Sequence, residues 1–187
     1  MSLVAKILIV GESGTGKSAL LYRFISGNFR EDIPPTIGIE VLIKEFIYNG
    51  NNIILQLWDF SGQAQFRHMW HKYTLGALGA IVIFDLSNLD TLKRIEEWIS
   101  ICRKYDNSLP ILLLGTKSDL LLSLNSSDDN FFRDLISKYS LFNYIKTSAK
   151  NGINIELAFE ILIKEIINQK NRFNYIIKKE YYEYMDS

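Results

Sequence analysis

Apolar and polar positions alternate in blocks along the chain. Val4 to Val10 is an apolar run that stops at Gly11, and Ala19 to Ile25 reads as a helix that starts inside a glycine-rich loop. Glu40 to Tyr48 and Ile53 to Trp58 are strand-like, joined by Asn49-Gly50-Asn51-Asn52. That junction predicts a hairpin, because Asn and Gly tolerate the positive φ of tight turns. Ala80 to Phe84 and Ile111 to Leu114 are continuous apolar runs, as expected of strands covered on both faces. Leu92 to Tyr105 has helical periodicity, and Asp128 to Tyr139 is another helix candidate, capped by Ser126 or Ser127. Phe142 to Lys146 is a last strand, and Ile155 to Ile167 a last helix with Phe159, Leu162, Ile163 and Ile166 on one side.

Strands alternating with helices predict an α/β fold: a mostly parallel sheet with helices on both faces and one antiparallel edge strand from the hairpin. In such folds ligands sit beyond the carboxyl ends of the strands. Gly11 to Ser18, Asp59 to Gln63, Thr116 to Asp119 and Ser148 to Lys150 each follow a predicted strand end, so the four segments are expected to share one site.

Composition narrows the class. The chain has 187 residues, 48% hydrophobic and 22% charged, which fits one globular domain. A chain of this length buries roughly 70% of its unfolded surface and needs no disulfide. Cys102 is the one cysteine. With 21 basic and 21 acidic residues the formal charge is zero, which argues against a nucleic-acid binder or a polybasic membrane patch. No apolar run reaches the length of a membrane span, and no signal peptide is expected. Ser at position 2 removes the site for N-myristoylation, and a cysteine-free C-terminus removes that for prenylation, so no direct lipid anchor is expected. A cytoplasmic location is expected, with any membrane recruitment through a protein partner.

Gly11-Glu12-Ser13-Gly14-Thr15-Gly16-Lys17-Ser18 fits G-x-x-x-x-G-K-[ST]. Glycines let the backbone curl so that several N–H groups point at phosphates, and the following helix adds its positive end. Lys17 is placed to reach the β- and γ-phosphates and the Ser18 hydroxyl to bind Mg2+. Asp59, at the end of the third strand, fits the usual carboxylate anchor for Mg2+ near such a loop. Gly62 lets its N–H approach the γ-phosphate, and Gln63 carries an amide able to orient an attacking water.

These segments, together with Thr36, Thr116-Lys117-Ser118-Asp119 and Ser148-Ala149-Lys150, occur in the order and spacing of the Ras superfamily of small GTPases, and the chain resembles that superfamily over about residues 4 to 168. The phosphate loop looks most like the Rab branch, while Trp58-Asp59-x-x-Gly62-Gln63 and the Thr116-Lys117-x-Asp119 variant also resemble Spg1/Tem1-like and archaeal small GTPases. The resemblance implies a P-loop NTPase G domain over residues 1–170 with a six-stranded sheet, followed by an extension or tail over residues 171–187. It implies that Asp119 accepts hydrogen bonds from guanine N1 and N2, that Lys117 lies along the base, that the Ala149 N–H meets guanine O6, and that Phe29 stacks on the base edge. The nucleotide set is then Ser13, Gly14, Thr15, Gly16, Lys17, Ser18, Ala19, Phe29, Thr36, Asp59, Gly62, Thr116, Lys117, Asp119, Ser148, Ala149 and Lys150, with Ser18, Thr36 and Asp59 toward the metal and Gln63 and Lys17 toward the chemistry. The cofactors implied are GTP or GDP and Mg2+.

Two departures stand out. Thr116 takes the place of the commonest Asn, as in the Rho branch. Asp32 and Ile33 stand where the family has a tyrosine ahead of the Thr36 position, so no aromatic lid is expected over the phosphates. Residues 29–38 and 60–73 correspond to the two switches, and the resemblance implies effector, exchange-factor and GTPase-activating partners that engage them. A monomer is expected. Trp70 and Tyr73 read equally as an effector surface or as packing on the sheet. His68 and His71 are not expected to be catalytic or to bind metal. With no arginine finger in cis, intrinsic hydrolysis should be slow, on the order of 10⁻⁴ per second. A GTP-binding scaffold without turnover and an ATP-using P-loop enzyme stay open from the residues alone. The tyrosine-rich tail either extends the last helix, docks on the domain or meets a partner.

Overall fold

The computed structural model describes the backbone of residues 3–121 and 126–185, and the side chains within those ranges except 67–68, 126–129 and 172–185. The elements are β1 (Leu3–Val10), α1 (Lys17–Ser26), β2 (Ile39–Tyr48), β3 (Asn51–Phe60), α2 (Arg67–Trp70), β4 (Gly79–Asp85), α3 (Ile95–Cys102), β5 (Ile111–Thr116), α4 (Ser126–Tyr139), β6 (Asn143–Lys146) and α5 (Ile155–Met185). The strands form one six-stranded sheet in the order β2-β3-β1-β4-β5-β6. Only the β2–β3 pair is antiparallel.

The hairpin is tighter than its sequence suggests. Pairing runs out to Tyr48 opposite Asn51, which leaves Asn49 and Gly50 as a two-residue turn with φ of 48° and 75°. Positive φ at both central residues gives the turn the twist of the flanking strands.

Alternate residues of the central strands feed two cores. Ile81 and Ile83 of β4 point toward α1 and α5, where Leu20, Leu21, Phe24, Phe159, Leu162 and Ile163 pack. Ala80, Val82 and Phe84 point the other way, toward Trp70, Ile95, Trp98, Ile99 and Phe132. Burial on both faces explains the unbroken apolar runs of β4 and β5. A fully buried side chain of this size contributes roughly 1.5–3 kcal/mol, so the two cores hold the sheet rigid beneath its carboxyl rim.

Helix lengths differ from the expectations in two places. The segment expected as one helix from Leu92 to Tyr105 is α-helical only over α3, and its first residue closes a separate 3-10 turn, Leu89–Leu92. The Thr91 hydroxyl donates to the Asn88 carbonyl at 2.7 Å and accepts from the Asp85 N–H at 2.9 Å, which fixes this stretch as a turn against β4. Leu92, Ile95, Trp98, Ile99 and Cys102 are all buried, so the apolar period continues across the break. The last helix, expected to end at Ile167, continues to Met185. The expected Ser126 or Ser127 cap and the tail tyrosines lie outside the described side chains.

Candidate functional site

The loop Gly11–Gly16 connects β1 to α1 at the carboxyl rim of the sheet. Gly16 caps α1 in a left-handed conformation, φ 88°, without a side-chain hydrogen bond to the first turn. The leading N–H groups of α1 therefore face the cavity above them, a setting that favours an anion.

That cavity has a volume of about 460 Å3. Ser13, Gly14, Gly16, Lys17, Ser18, Ala19, Phe29, Thr36, Gly62, Gln63, Thr116, Lys117, Asp119, Ala149 and Lys150 all line it. Its size suits a ligand of nucleotide dimensions. Of the remaining expected residues, Asp59 and Ser148 lie just beneath its wall. Thr15 differs: its side chain is fully buried and its hydroxyl donates to the Glu12 carbonyl at 2.9 Å, so it braces the loop from within. An x position in a G-x-x-x-x-G-K-S loop carries no sign of which way it faces.

At one end, Lys17 is buried, and its Nζ donates to the carbonyls of Gly11 at 2.9 Å and Glu12 at 2.8 Å. Burial lowers its pKa to about 8, against the opposing pull of Asp59 and Glu12. Beside it, Asp59 is almost fully buried. Its Oδ2 accepts from Ser18 Oγ at 2.9 Å and from Thr36 Oγ1 at 3.0 Å, while the two hydroxyls lie 2.8 Å apart. Its Oδ1 is buried with no hydrogen-bond partner. Burial pushes the carboxyl pKa up, opposed by Lys17 and by the two hydroxyl donors. Two hydroxyls and one carboxylate, whose Oδ1 is buried and unpaired, form a hard-oxygen donor set that suits a small divalent cation.

Gly62 packs directly on the phosphate loop. A Cβ at this position would lie 2.2 Å from the Ser13 nitrogen, so only glycine permits this approach. Gln63 lines the cavity nearby, with its Oε1 accepting from Gln65 Nε2 at 3.1 Å. Ser61 N–H donates to the Gly38 carbonyl at 2.8 Å, which ties the start of one expected switch to the end of the other.

At the opposite end, Asp119 is half-buried, and its Oδ1 accepts from Ser148 Oγ at 2.5 Å. The Thr116 hydroxyl lies 2.5 Å from the Thr15 carbonyl and 2.9 Å from that of Phe84, sharing its proton between them. The Thr147 N–H donates to the Gly115 carbonyl at 2.7 Å and Ser118 N–H to that of Thr147 at 3.1 Å, which locks the loops after β5 and β6 together.

Several lining residues carry no signal in the motifs. Ile33, Pro34 and Pro35 form an apolar wall ahead of Thr36, where no aromatic lid was expected. Asp85, at the end of β4, does not line the cavity but pairs with Lys117, which does, at 2.7 Å from its Nζ. A lone Asp closing an apolar run is indistinguishable in sequence from a turn residue. Trp70 resolves toward packing: it is fully buried and stacks on Trp98 at 4.6 Å, whose indole donates to Glu12 Oε1 at 3.0 Å. Tyr73 keeps 38% of its surface exposed and sits 6.4 Å from Trp58. No group of three His, Cys, Asp or Glu side chains able to hold a metal occurs among the described residues.

The family model described as the Ras family matches residues 6–168. The Ras-related protein RGP2 of Oryza sativa is 34% identical over 91% of this chain and 78% of its own length. The Ras-related protein SEC4 of Saccharomyces cerevisiae is 35% identical over 93% of this chain and 80% of its own. The Ras-related protein Rab-11A of Dictyostelium discoideum is 36% identical over 89% and 78%.

Proposed function

The chain belongs to the Ras family, as a Rab-like small GTPase that binds guanine nucleotide and acts as a molecular switch, and on that premise we propose how its residues divide the work. The observation that carries the proposal is the meeting of Ser18, Thr36 and Asp59 at one end of a cavity whose other end holds Asp119.

The phosphates lie along the N–H groups of residues 13–19, with Lys17 exchanging its two carbonyl partners for phosphate oxygens. Ser18 and Thr36 hold Mg2+, with Asp59 anchoring it. When bound, the cation offsets the charge of the β- and γ-phosphates. Asp119 accepts from guanine N1 and N2, and Ser148 fixes the carboxylate for that purpose. Adenine has no matching donors and would leave the carboxylate with its Ser148 bond but none from the base, which disfavours ATP. Phe29 covers the base edge, and Ala149 N–H meets O6.

Hydrolysis follows from positioning. Gln63 turns its amide from Gln65 to a water in line with the γ-phosphorus. The water oxygen bonds to the γ-phosphorus as the bond to the β–γ bridging oxygen breaks, and the water's protons pass to the oxygens of the departing phosphate and to solvent, which yields GDP and inorganic phosphate. Lys17 and the Gly62 N–H stabilise the charge that develops on the phosphate oxygens. Loss of the γ-phosphate removes the reason for Thr36 and Gly62 to stay against the loop, and both switches relax. A groove of about 310 Å3 between them, lined by Val41, Trp58, Met69 and Tyr73 among others, offers the surface for effectors and regulators. No helix among the described residues is long and apolar enough to cross a membrane.

The test is to denature the purified protein and identify the nucleotide released. Guanine nucleotide in near-equimolar amount is expected; adenine nucleotide would overturn the base assignment. Gln63→Leu should then slow single-turnover hydrolysis by about tenfold or more without loosening GTP. An unchanged rate removes Gln63 from the chemistry.

A further inference from the structure

Asp85 is a carboxylate that the assignments above do not use, and it lies directly behind Lys117. It ends β4, opposite Thr116 in the β4–β5 register, and is 5% exposed. Its Oδ2 meets Lys117 Nζ at 2.7 Å, while its Oδ1 accepts from the Ser87 N–H at 2.9 Å and Ser87 Oγ at 2.6 Å. Its own N–H donates to Thr91 Oγ1 at 2.9 Å. Both carboxylate oxygens and the backbone are thus fixed. Burial alone would push this carboxyl up, but the bonds from Lys117 and Ser87 hold it below its ordinary range.

Lys117 needs such a fixture. It stands in the left-handed region, φ 58°, where a non-glycine residue is uncommon, and its stem passes over Gly16, 4.0 Å from where a Cβ there would lie. A free lysine samples many rotamers and loses that freedom when ordered. Held at the ammonium by a carboxylate that cannot itself turn, the four-carbon stem is ordered before a ligand arrives.

We propose that Asp85 is a positioning residue for purine recognition, acting by clamping Lys117 so that its aliphatic stem forms a preset wall for the base. The inference rests on the reading that Lys117 lies along the guanine. It assigns to the end of β4 a part in nucleotide retention that the motifs after β1, β3, β5 and β6 do not contain. Asp85 touches no nucleotide itself, so its effect must pass entirely through Lys117.

That dependence gives the test. GDP release from the full chain is measured with Mg2+ for wild type, Asp85→Asn, Lys117→Ala and the double variant. Lys117→Ala should speed release by about tenfold or more, and Asp85→Asn by about fivefold. In the Lys117→Ala background, Asp85→Asn should add less than about twofold. Single-turnover hydrolysis of bound GTP should be unchanged in Asp85→Asn, since the phosphate end is untouched. Equal factors in both backgrounds, or no effect of Asp85→Asn, overturn the proposal while leaving the base reading intact. An unchanged release rate in Lys117→Ala sinks that reading and the proposal together. Should Asp85→Asn fail to fold, Ser87→Ala removes one side of the clamp; it should speed release about twofold in wild type and not at all in Lys117→Ala.

Discussion

The Thr116 hydroxyl and the Thr15 carbonyl, 2.5 Å apart, join the end of β5 to the loop between β1 and α1, which the proposed reading assigns to the base and the phosphates. One residue thereby fixes the distance between two subsites that share no secondary element. Thr116→Val keeps the shape and removes the donor. It leaves the Thr15 carbonyl short of a buried partner, at about 1–3 kcal/mol, and GDP release should accelerate by about tenfold. Fluorescent GDP displacement reads this directly; release at the wild-type rate would show the bond to be dispensable.

Gly62→Ala places a Cβ where the Ser13 nitrogen already lies. The loop must lift from the phosphate loop, carrying the Gly62 N–H and Gln63 away from the γ-phosphate position. GDP affinity should change by less than about threefold while hydrolysis falls by about tenfold or more. A parallel fall in both would instead mark a general collapse of the site.

Trp70→Ala empties a fully buried volume between Phe60 and Trp98. The loss should be about 3–5 kcal/mol, read as a lowered midpoint in urea with GDP present. An effector-surface role alone would leave the midpoint unchanged.

Cys102 is fully buried, and burial pushes its thiol up to about 12 from 9. Native protein at pH 8 should resist thiol reagents, with one equivalent reacting after denaturation. The folded state holds the proton more tightly than the unfolded one, so the contribution of this group to stability is intact below pH 9 and is lost as pH rises from about 9 toward 12. Rapid labelling of native protein would contradict the burial.

The parts of this fold most legible in sequence are those in which local chemistry and global role coincide. Apolar runs at β4 and β5, Asn49-Gly50 at the hairpin and the glycines around Lys17 each announce their place because no other residue pattern performs that job. Legibility fails where a residue acts through space. Asp85 looks like a turn residue until β5 brings Lys117 beside it. The Thr15 hydroxyl turns inward onto the Glu12 carbonyl, while its own carbonyl accepts from Thr116 at the end of β5, 101 positions away, a contact the motif does not announce. The break before α3 depends on Thr91 reaching back to β4, a contact that helical periodicity cannot register. Trp70 was ambiguous because burial and exposure of an aromatic produce the same letter.

The bond from Ser61 to the Gly38 carbonyl sits at the open end of a hairpin whose pairing runs unbroken to Ile39 opposite Phe60. A displacement of either segment is transmitted to the other as strand movement, since ten paired residues cannot slip by one position without turning their inward side chains outward. On the proposed reading of these segments as nucleotide sensors, the two should therefore report a single bit. A partner that grips only one of them still learns the state of both, and a surface specialised for one segment loses no information by ignoring the other.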